Sequence, residues 1–240
     1  MDFPIHLVEE SCRAMDIPVL IDQQAKARLT RYAELLVEWN ERINLTAIIR
    51  PEEIAVKHFV DSAALLKYIT LPPAARIIDV GTGAGFPGLV LKILRPDLEL
   101  TLLDSLQKRL RFLETVREEL GLQAELVHAR AEEGGRNPLY REQFDLAAAR
   151  AVARLPLLAE YCLPFVRVGG CFCALKGPDG QAELTEAGQS LQTLGGGNAI
   201  LQAYTLPGGD QRSIVISKKR TQTPTKFPRN PSQIAKKPLG

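Results

Sequence analysis

Across the first seventy residues, apolar positions recur every three or four. Ala25, Leu29, Tyr32, Leu36, Trp39 and Ile43 form one stripe, the spacing of a helix that faces a core, and Asp22 stands where its N-cap belongs. Pro51 suits the first turn of a second helix running through Leu66. Leu71-Pro72-Pro73 ends this region, and the period then changes. Short apolar runs over 76–80, 98–104, 124–129, 144–149 and 170–175 predict strands, separated by helical segments over 87–95, 107–120, 155–162 and 181–194. Residues 133–142, rich in Gly, Asn and Pro, predict a loop. Strands alternating with helices predict an α/β fold with a parallel sheet. Two final strands, near 199–205 and 212–217, are joined only by Pro207-Gly208-Gly209-Asp210, too short for a crossover helix, so they must pair as a hairpin. The expected organisation is a helical N-terminal extension over 1–70, an α/β domain over 71–219 and a tail over 220–240.

Composition changes this picture little. At 240 residues and 45% hydrophobic, the chain suits one α/β domain with an appendage. It has no run of 18 apolar residues, and its N-terminus lacks the basic and apolar regions of a signal peptide, so neither a membrane span nor secretion is expected. Cys12, Cys162, Cys171 and Cys173 form no CxxC pair and lie far from His6, His58 and His128. Free thiols in a reducing cytoplasm, with no metal, are the expectation.

Charge changes it more. The net charge is +2, yet residues 217–240 carry seven cations (Lys218, Lys219, Arg220, Lys226, Arg229, Lys236 and Lys237) and no acid, which leaves the rest at −5. Four prolines, Pro224, Pro228, Pro231 and Pro238, predict that this tail is extended. A basic, extended tail suits contact with nucleic-acid phosphates; the alternative is a solubilising terminus.

The densest chemistry lies in Ile77-Ile78-Asp79-Val80-Gly81-Thr82-Gly83-Ala84-Gly85-Phe86-Pro87-Gly88, a strand that runs into a glycine-rich turn and then a helix. Such a turn lets a ligand lie on the backbone at a helix N-terminus. Two adenosine cofactors compete for it. Gly83 to Gly88 satisfies GxGxxG, the dinucleotide pattern. Asp79 with Gly81, Gly83 and Gly85 satisfies an acidic residue two before GxGxG, which resembles motif I of S-adenosylmethionine-dependent methyltransferases. The second reading is favoured because the glycines begin directly after the strand, and because Asp79 suits a cationic cofactor better than a pyrophosphate. Asp104 closes the next strand roughly 20 residues on, where a carboxylate accepts from ribose hydroxyls. Both cofactors carry that ribose, and Asp104 could equally cap the following helix.

Beyond the turn, a series of segments bears a specific resemblance. Trp39-Asn40-Glu41-Arg42-Ile43-Asn44-Leu45-Thr46-Ala47-Ile48, His58-Phe59-Val60-Asp61-Ser62, the GTGAGFPG turn, Leu103-Asp104-Ser105 with Lys108-Arg109, Ala131-Glu132, Arg150-Ala151-Val152-Ala153, Lys176-Gly177 and Lys226-Phe227-Pro228-Arg229 with Lys237-Pro238-Leu239 occur in order along nearly the whole chain. Together they resemble the bacterial ribosomal RNA small subunit methyltransferase G family; Ser232 departs from the glycine usual in that family's tail. The resemblance implies a Rossmann-like class I S-adenosylmethionine-dependent methyltransferase sheet over 71–219. It also implies methyl transfer to N7 of one guanine in 16S ribosomal RNA, with the RNA or the 30S particle as partner. Family cofactor residues carry over as Gly81, Phe86, Ala131, Glu132 and Arg150; Asp79, Gly83, Gly85 and Asp104 are added from the turn and ribose arguments. The adenine contact could come from Glu132 or from the Ala131-Glu132 backbone. The resemblance further suggests that Lys226 to Arg229 fold back near the site.

The residues after the fourth strand bear on the acceptor. Ala149-Arg150-Ala151-Val152 stands where exocyclic-amine methyltransferases commonly carry Asn/Asp-Pro-Pro-aromatic. No cysteine is there to attack a pyrimidine ring. Lys176 could serve 2′-hydroxyl methylation, but the aspartate expected with it is missing. Guanine N7 has a free lone pair and loses no proton, so no general base is assigned. Arg150, Arg154 and Lys176 are candidates to orient the guanine or a flanking phosphate; Arg154 and Lys176 could equally be plain surface charges. Two other classes stay open, an NAD(P)-dependent oxidoreductase, for which no Tyr-x-x-x-Lys or equivalent histidine is found, and a non-catalytic RNA-binding protein.

Overall fold

The computed structural model of the protein describes residues 3–239. It opens with α1 (Ile5–Ala14) and α2 (Gln23–Ile43). Asp22 caps α2, its Oδ1 accepting from the Ala25 N–H at 2.7 Å. At the far end Asn44 adopts the left-handed region (φ 50°), and Asn40 Oδ1 accepts from the N–H groups of Leu45 and Thr46 at 2.6 and 2.8 Å. The helix expected from Pro51 is broken into α3 (Pro51–Glu53), a π-helical stretch (Ile54–Val60), α4 (Asp61–Ala63) and α5 (Leu65–Tyr68). Six of the seven π-helical residues are buried, His58 among them, so burial on nearly every side replaces the one-sided pattern of an amphipathic helix.

The alternating region contains β1 (Arg76–Val80), α6 (Gly88–Leu94), β2 (Glu99–Asp104), α7 (Gln107–Glu119), β3 (Ala124–His128), α8 (Ala131–Gly134), β4 (Phe144–Arg150), α9 (Leu155–Cys162), β5 (Val166–Lys176) and α10 (Gly180–Thr193). β6 (Ile200–Thr205), β7 (Gln211–Lys218) and α11 (Pro231–Lys236) complete it. The expected loop at 133–142 begins inside the short helix α8, and β5 is longer than expected. The sheet order is β3-β2-β1-β4-β5-β7-β6, with the first five strands parallel and β7 antiparallel to both its neighbours. The order reverses between β1 and β4, and the crevice at their carboxyl ends is where such sheets bind ligands.

Alternation along each strand divides the core into two layers. Ile77, Leu146 and Ala148 face one layer, which also holds Leu29, Tyr32, Leu36 and Phe59 of the N-terminal helices. Ile78, Ala147 and Ala149 face the other, with Leu155, Leu158 and Leu191 of α9 and α10. The helices of residues 3–70 therefore complete one face of the sheet.

The tail departs most from expectation. Rather than extending, it lies against the second layer, with Phe227 and Ile234 buried. Arg229 forms an ion pair with the buried Glu160 of α9 at 2.6 Å, and the Arg229 N–H also donates to Glu160 at 2.7 Å. Lys219 is buried too, donating to Leu163 O and Thr223 Oγ1 at 2.6 Å each. Its prolines are compatible with this path because apolar and ionic contacts fix it from outside. Among the described residues no helix is long and apolar enough to cross a membrane.

The docked tail makes a stability prediction. Arg229→Ala removes the guanidinium from a buried carboxylate and should cost about 2–4 kcal/mol, measured by urea unfolding. Lys236→Ala, at an exposed position, should change stability by less than about 0.5 kcal/mol. Equal effects would mean that the tail contributes charge alone.

Candidate active site

At the carboxyl ends of β1, β2 and β4 lies a cavity of about 350 Å³, walled by Gly81, Asp104, Arg109, Glu132, Val152 and Tyr161 among others. Of the residues expected to hold a cofactor, Gly81, Asp104, Ala131 and Glu132 line it. Asp104 is buried at the end of β2. Its Oδ2 accepts from the Gly83 N–H at 2.9 Å and Arg109 Nη1 at 3.3 Å, and its Oδ1 accepts from the Leu106 N–H at 2.9 Å. It therefore ties the glycine turn to the entry of α7, and with three of a carboxylate's roughly four acceptor positions used, one stays free. Glu132 is nearly buried on α8 and, among the described residues, accepts no hydrogen bond. A carboxylate in such a wall calls for donors, which an adenosine supplies through its ribose hydroxyls and amino group. The residues present fit that group.

The other expected cofactor residues sit elsewhere. Asp79, expected to face a cationic cofactor, lies beneath the turn and does not line the cavity. Its Oδ2 accepts from the Thr82 hydroxyl at 2.7 Å and the Gly88 N–H at 2.9 Å, while its Oδ1 has no partner. Burial pushes this carboxyl up to about 6. Gly85 makes room for protein rather than for a ligand: at φ 97°, a Cβ there would stand 2.5 Å from the Tyr32 hydroxyl and 2.6 Å from Leu89. Gly83, at φ 62°, presents its N–H to Asp104. Phe86 is a core residue, stacked 5.2 Å from Tyr32 and 4.4 Å from His58.

Arg150 also turns away from this cavity. At the end of β4 it shares the face of Leu146 and Ala148, so its guanidinium meets the N-terminal helices. Nη1 donates to Lys57 O at 2.9 Å and to Asp61 Oδ2 at 3.0 Å; Nη2 donates to His58 Nδ1 at 2.9 Å; and the group lies 4.8 Å over the Phe86 ring. Because arginine only donates, His58 Nδ1 must be an acceptor, so the proton sits on Nε2 and faces Thr46 Oγ1 at 3.0 Å. Tyr204 donates to the other oxygen of Asp61 at 2.8 Å. The Asn40–Thr46 and His58–Asp61 segments, seen in the sequence only as a family signature, are thus two halves of one polar network around Arg150.

This network forms part of a second cavity, of about 670 Å³, beside the first. Ala151 and Val152 belong to the walls of both. Ala151 is held at φ 56°, a costly conformation for a residue with a side chain. Arg154 and Lys176 line the second cavity, but neither is a free cation. Arg154 reaches Glu186 at 2.6 Å at the exposed rim, and Lys176 contacts Glu183 at 2.8 Å and Ala153 O at 2.7 Å. Sequence reasoning missed Lys57, His58, Asp61, Glu183 and Arg212 as wall residues; only the family segment containing His58 and Asp61 pointed toward any of them.

The fold is shared with known enzymes. A crystal structure of an S-adenosylmethionine-dependent O-methyltransferase from Thermotoga maritima superposes with a TM-score of 0.53 at 15% identity, covering 79% of this chain and 72% of that one. A putative methyltransferase from Bacillus halodurans gives 0.51 at 15% identity, over 67% and 99%. Sheet order and these likenesses show a shared fold, a mostly parallel sheet closed by an antiparallel hairpin. Residues 25–215 match the family model described as rRNA small subunit methyltransferase G. The chain is 46% identical over 235 residues to the protein of that name from Alkaliphilus metalliredigens, covering 97% of this chain and 98% of that one. To the one from Desulfitobacterium hafniense it is 50% identical over 210 residues, 87% of each. The chain belongs to the rRNA small subunit methyltransferase G family.

Burial and the neighbouring Arg150 hold the His58 imidazole down to about 3. With the folded value below the unfolded one, this group's contribution to stability is complete above about pH 6.5 and is lost as pH falls toward 3. Asp79 acts in the opposite sense, its burial cost developing as pH rises through about 6. Nitrogen-15 NMR of labelled histidine should therefore show His58 neutral, with the proton on Nε2, at pH 5. An imidazolium at pH 5 would contradict the Arg150 contact.

Proposed function

We propose that the protein transfers the methyl group of S-adenosylmethionine to N7 of one guanine in 16S ribosomal RNA, in the cytoplasm, acting on the RNA or on the 30S particle. The observation that carries this reading is the wall shared by two adjacent cavities. The first has the carboxylates that an adenosine needs, and the second has room for a base. In this reading Ala131, Glu132 and Asp104 hold the adenosine, Gly81 lets it approach the end of β1, and Asp79, Gly83, Gly85 and Phe86 keep the turn in shape beneath it.

When bound, the cofactor supplies an electrophilic methyl group on a positively charged sulfur. The work left to the chain is positioning. The acceptor must be held in line, about 3 Å from the methyl carbon, in a site that excludes water. Ala151 and Val152 form the partition across which the two ligands meet. Arg150 fixes the start of that partition from behind, through Lys57, His58 and Asp61, rather than touching the cofactor with its side chain. Arg154, at the exposed rim, would exchange Glu186 for a backbone phosphate, and such contacts position the RNA without selecting its sequence.

Guanine N7 attacks with a lone pair, so no proton has to be removed. Two of the titratable groups nearest Arg150 are already engaged: His58 Nδ1 with Arg150, and the two Asp61 oxygens with Arg150 and Tyr204.

Incubating unmethylated 16S RNA and 30S particles with labelled cofactor, followed by nucleoside mapping, should give 7-methylguanosine; a label in any other nucleoside would overturn the reading. Single-turnover rates should be flat from about pH 6.5 to 9, because no essential side chain titrates there. A rise with slope near one would mean that a proton is removed. Glu132→Ala should weaken cofactor binding by about 1–3 kcal/mol in calorimetry while leaving the fold intact.

A further inference from the structure

Among the described residues, one carboxylate of the second cavity keeps an acceptor that the protein does not use. Glu183, on the first turn of α10, has a side chain only 14% exposed. Its Oε2 is pinned from two directions, by the Leu155 N–H at 2.6 Å and by Lys176 Nζ at 2.8 Å. Its Oε1 has no partner among the described residues, and the residue lines the cavity. Asp61, the other carboxylate of this wall, has both oxygens engaged, so Glu183 alone of the two keeps a free acceptor.

The position of Glu183 decides what it can read. Across the sheet the strands run β2, β1, β4, β5. The first cavity opens over β1, β2 and β4, whereas Glu183 follows β5, on the far side of the Ala151–Val152 partition. A guanine whose N7 faces the partition turns the opposite side of its six-membered ring toward β5 and α10. That side carries N1–H and the N2 amino group, both donors. Adenine offers an acceptor at N1 and no amino group at C2. A carboxylate there accepts from guanine and meets a lone pair from adenine. Unstacked RNA bases are read on such edges.

Resting on the guanine-N7 reading, we propose that Glu183 is the specificity residue of the second cavity, its free Oε1 accepting from the N1–H and N2 amino edge of the target guanine. The Lys176 contact and the Leu155 N–H fix the carboxylate before the base arrives. A site built to be satisfied by a donor rejects a base that lacks it, because the half-buried carboxylate is then left unpaired.

The test is a cycle between enzyme and substrate. Wild type, Glu183→Gln and Glu183→Ala are assayed on 30S particles with guanine, or inosine lacking only the N2 amino group, at the mapped position. Thermal unfolding and cofactor calorimetry accompany each variant. Inosine should lower kcat/KM of the wild type by about tenfold or more, the loss of one charge-assisted hydrogen bond. Glu183→Gln keeps the shape but turns a donor toward donors, so it should be slower on guanine by a similar factor or more, with cofactor affinity within about twofold of wild type. For either variant, replacing guanine by inosine should cost less than about twofold further. Penalties that multiply independently, or a wild type indifferent to inosine, would overturn the assignment while leaving guanine-N7 methylation standing. A wild type that forms no 7-methylguanosine would remove both.

Discussion

One guanidinium holds the carboxyl end of the sheet to the helices in front of it. Arg150 ends β4, where the strand opens between two cavities; its hydrogen bonds go to the N-terminal region, to Lys57 O, Asp61 and the His58 ring, and the Phe86 face of the glycine turn lies beneath. A charge with so little water around it is tolerable only because carboxylate, imidazole, carbonyl and aromatic ring surround it together. The π-helical stretch matters for that reason, since it supplies Lys57 and His58 from one turn and leads directly into Asp61. The conformational cost of Ala151 is carried next door. A residue at φ 56° immediately after a clamped arginine stays in place because its neighbour cannot move.

The architecture explains why positioning is the natural mode of action here. Most polar side chains around the two cavities are engaged with the protein and thereby hold shape. Asp104 ties the glycine turn to α7, Asp79 ties the same turn to α6, and Lys176 ties β5 to α10. These are connections between elements, and they converge on the two faces of a thin partition.

Much of this was legible in the sequence, for reasons of period. Apolar runs of strand length separated by helix-length segments give a parallel sheet, and a four-residue Pro-Gly-Gly-Asp link allows only a hairpin; both follow from local geometry. The cavity residues Gly81, Asp104, Ala131 and Glu132 were also accessible, because they sit at strand ends where such sheets bind ligands. Arg150 was singled out, but its partners were not. It shares the face of Ala148, and nothing local in the sequence said that the Lys57–Asp61 segment covers that face. Proline content and charge, properties of the segment alone, pointed to an extended tail, and only the resemblance brought Lys226 to Arg229 back toward the body; Phe227 and the Arg229–Glu160 pair gain their energy from a surface about seventy residues earlier. Gly85 shows the same limit: its motif suggested ligand contact, while its space is taken by Tyr32, from a helix the motif does not include.

The docked tail bears on when the molecule becomes competent. Pro228 packs close to Gly135, just after α8, and Arg136 and Arg141 donate to the Lys226 and Phe227 carbonyls at 3.3 and 2.8 Å. The segment that carries Glu132 is therefore braced by residues made 86 to 90 positions after those they contact. Chains fold from the N-terminus as they are synthesised. The sheet can form while translation continues, but the α8 side of the cofactor cavity gains its support only after Arg229 has left the ribosome. The order of synthesis thus delays completion of this candidate cavity until the Lys226–Arg229 segment has been made.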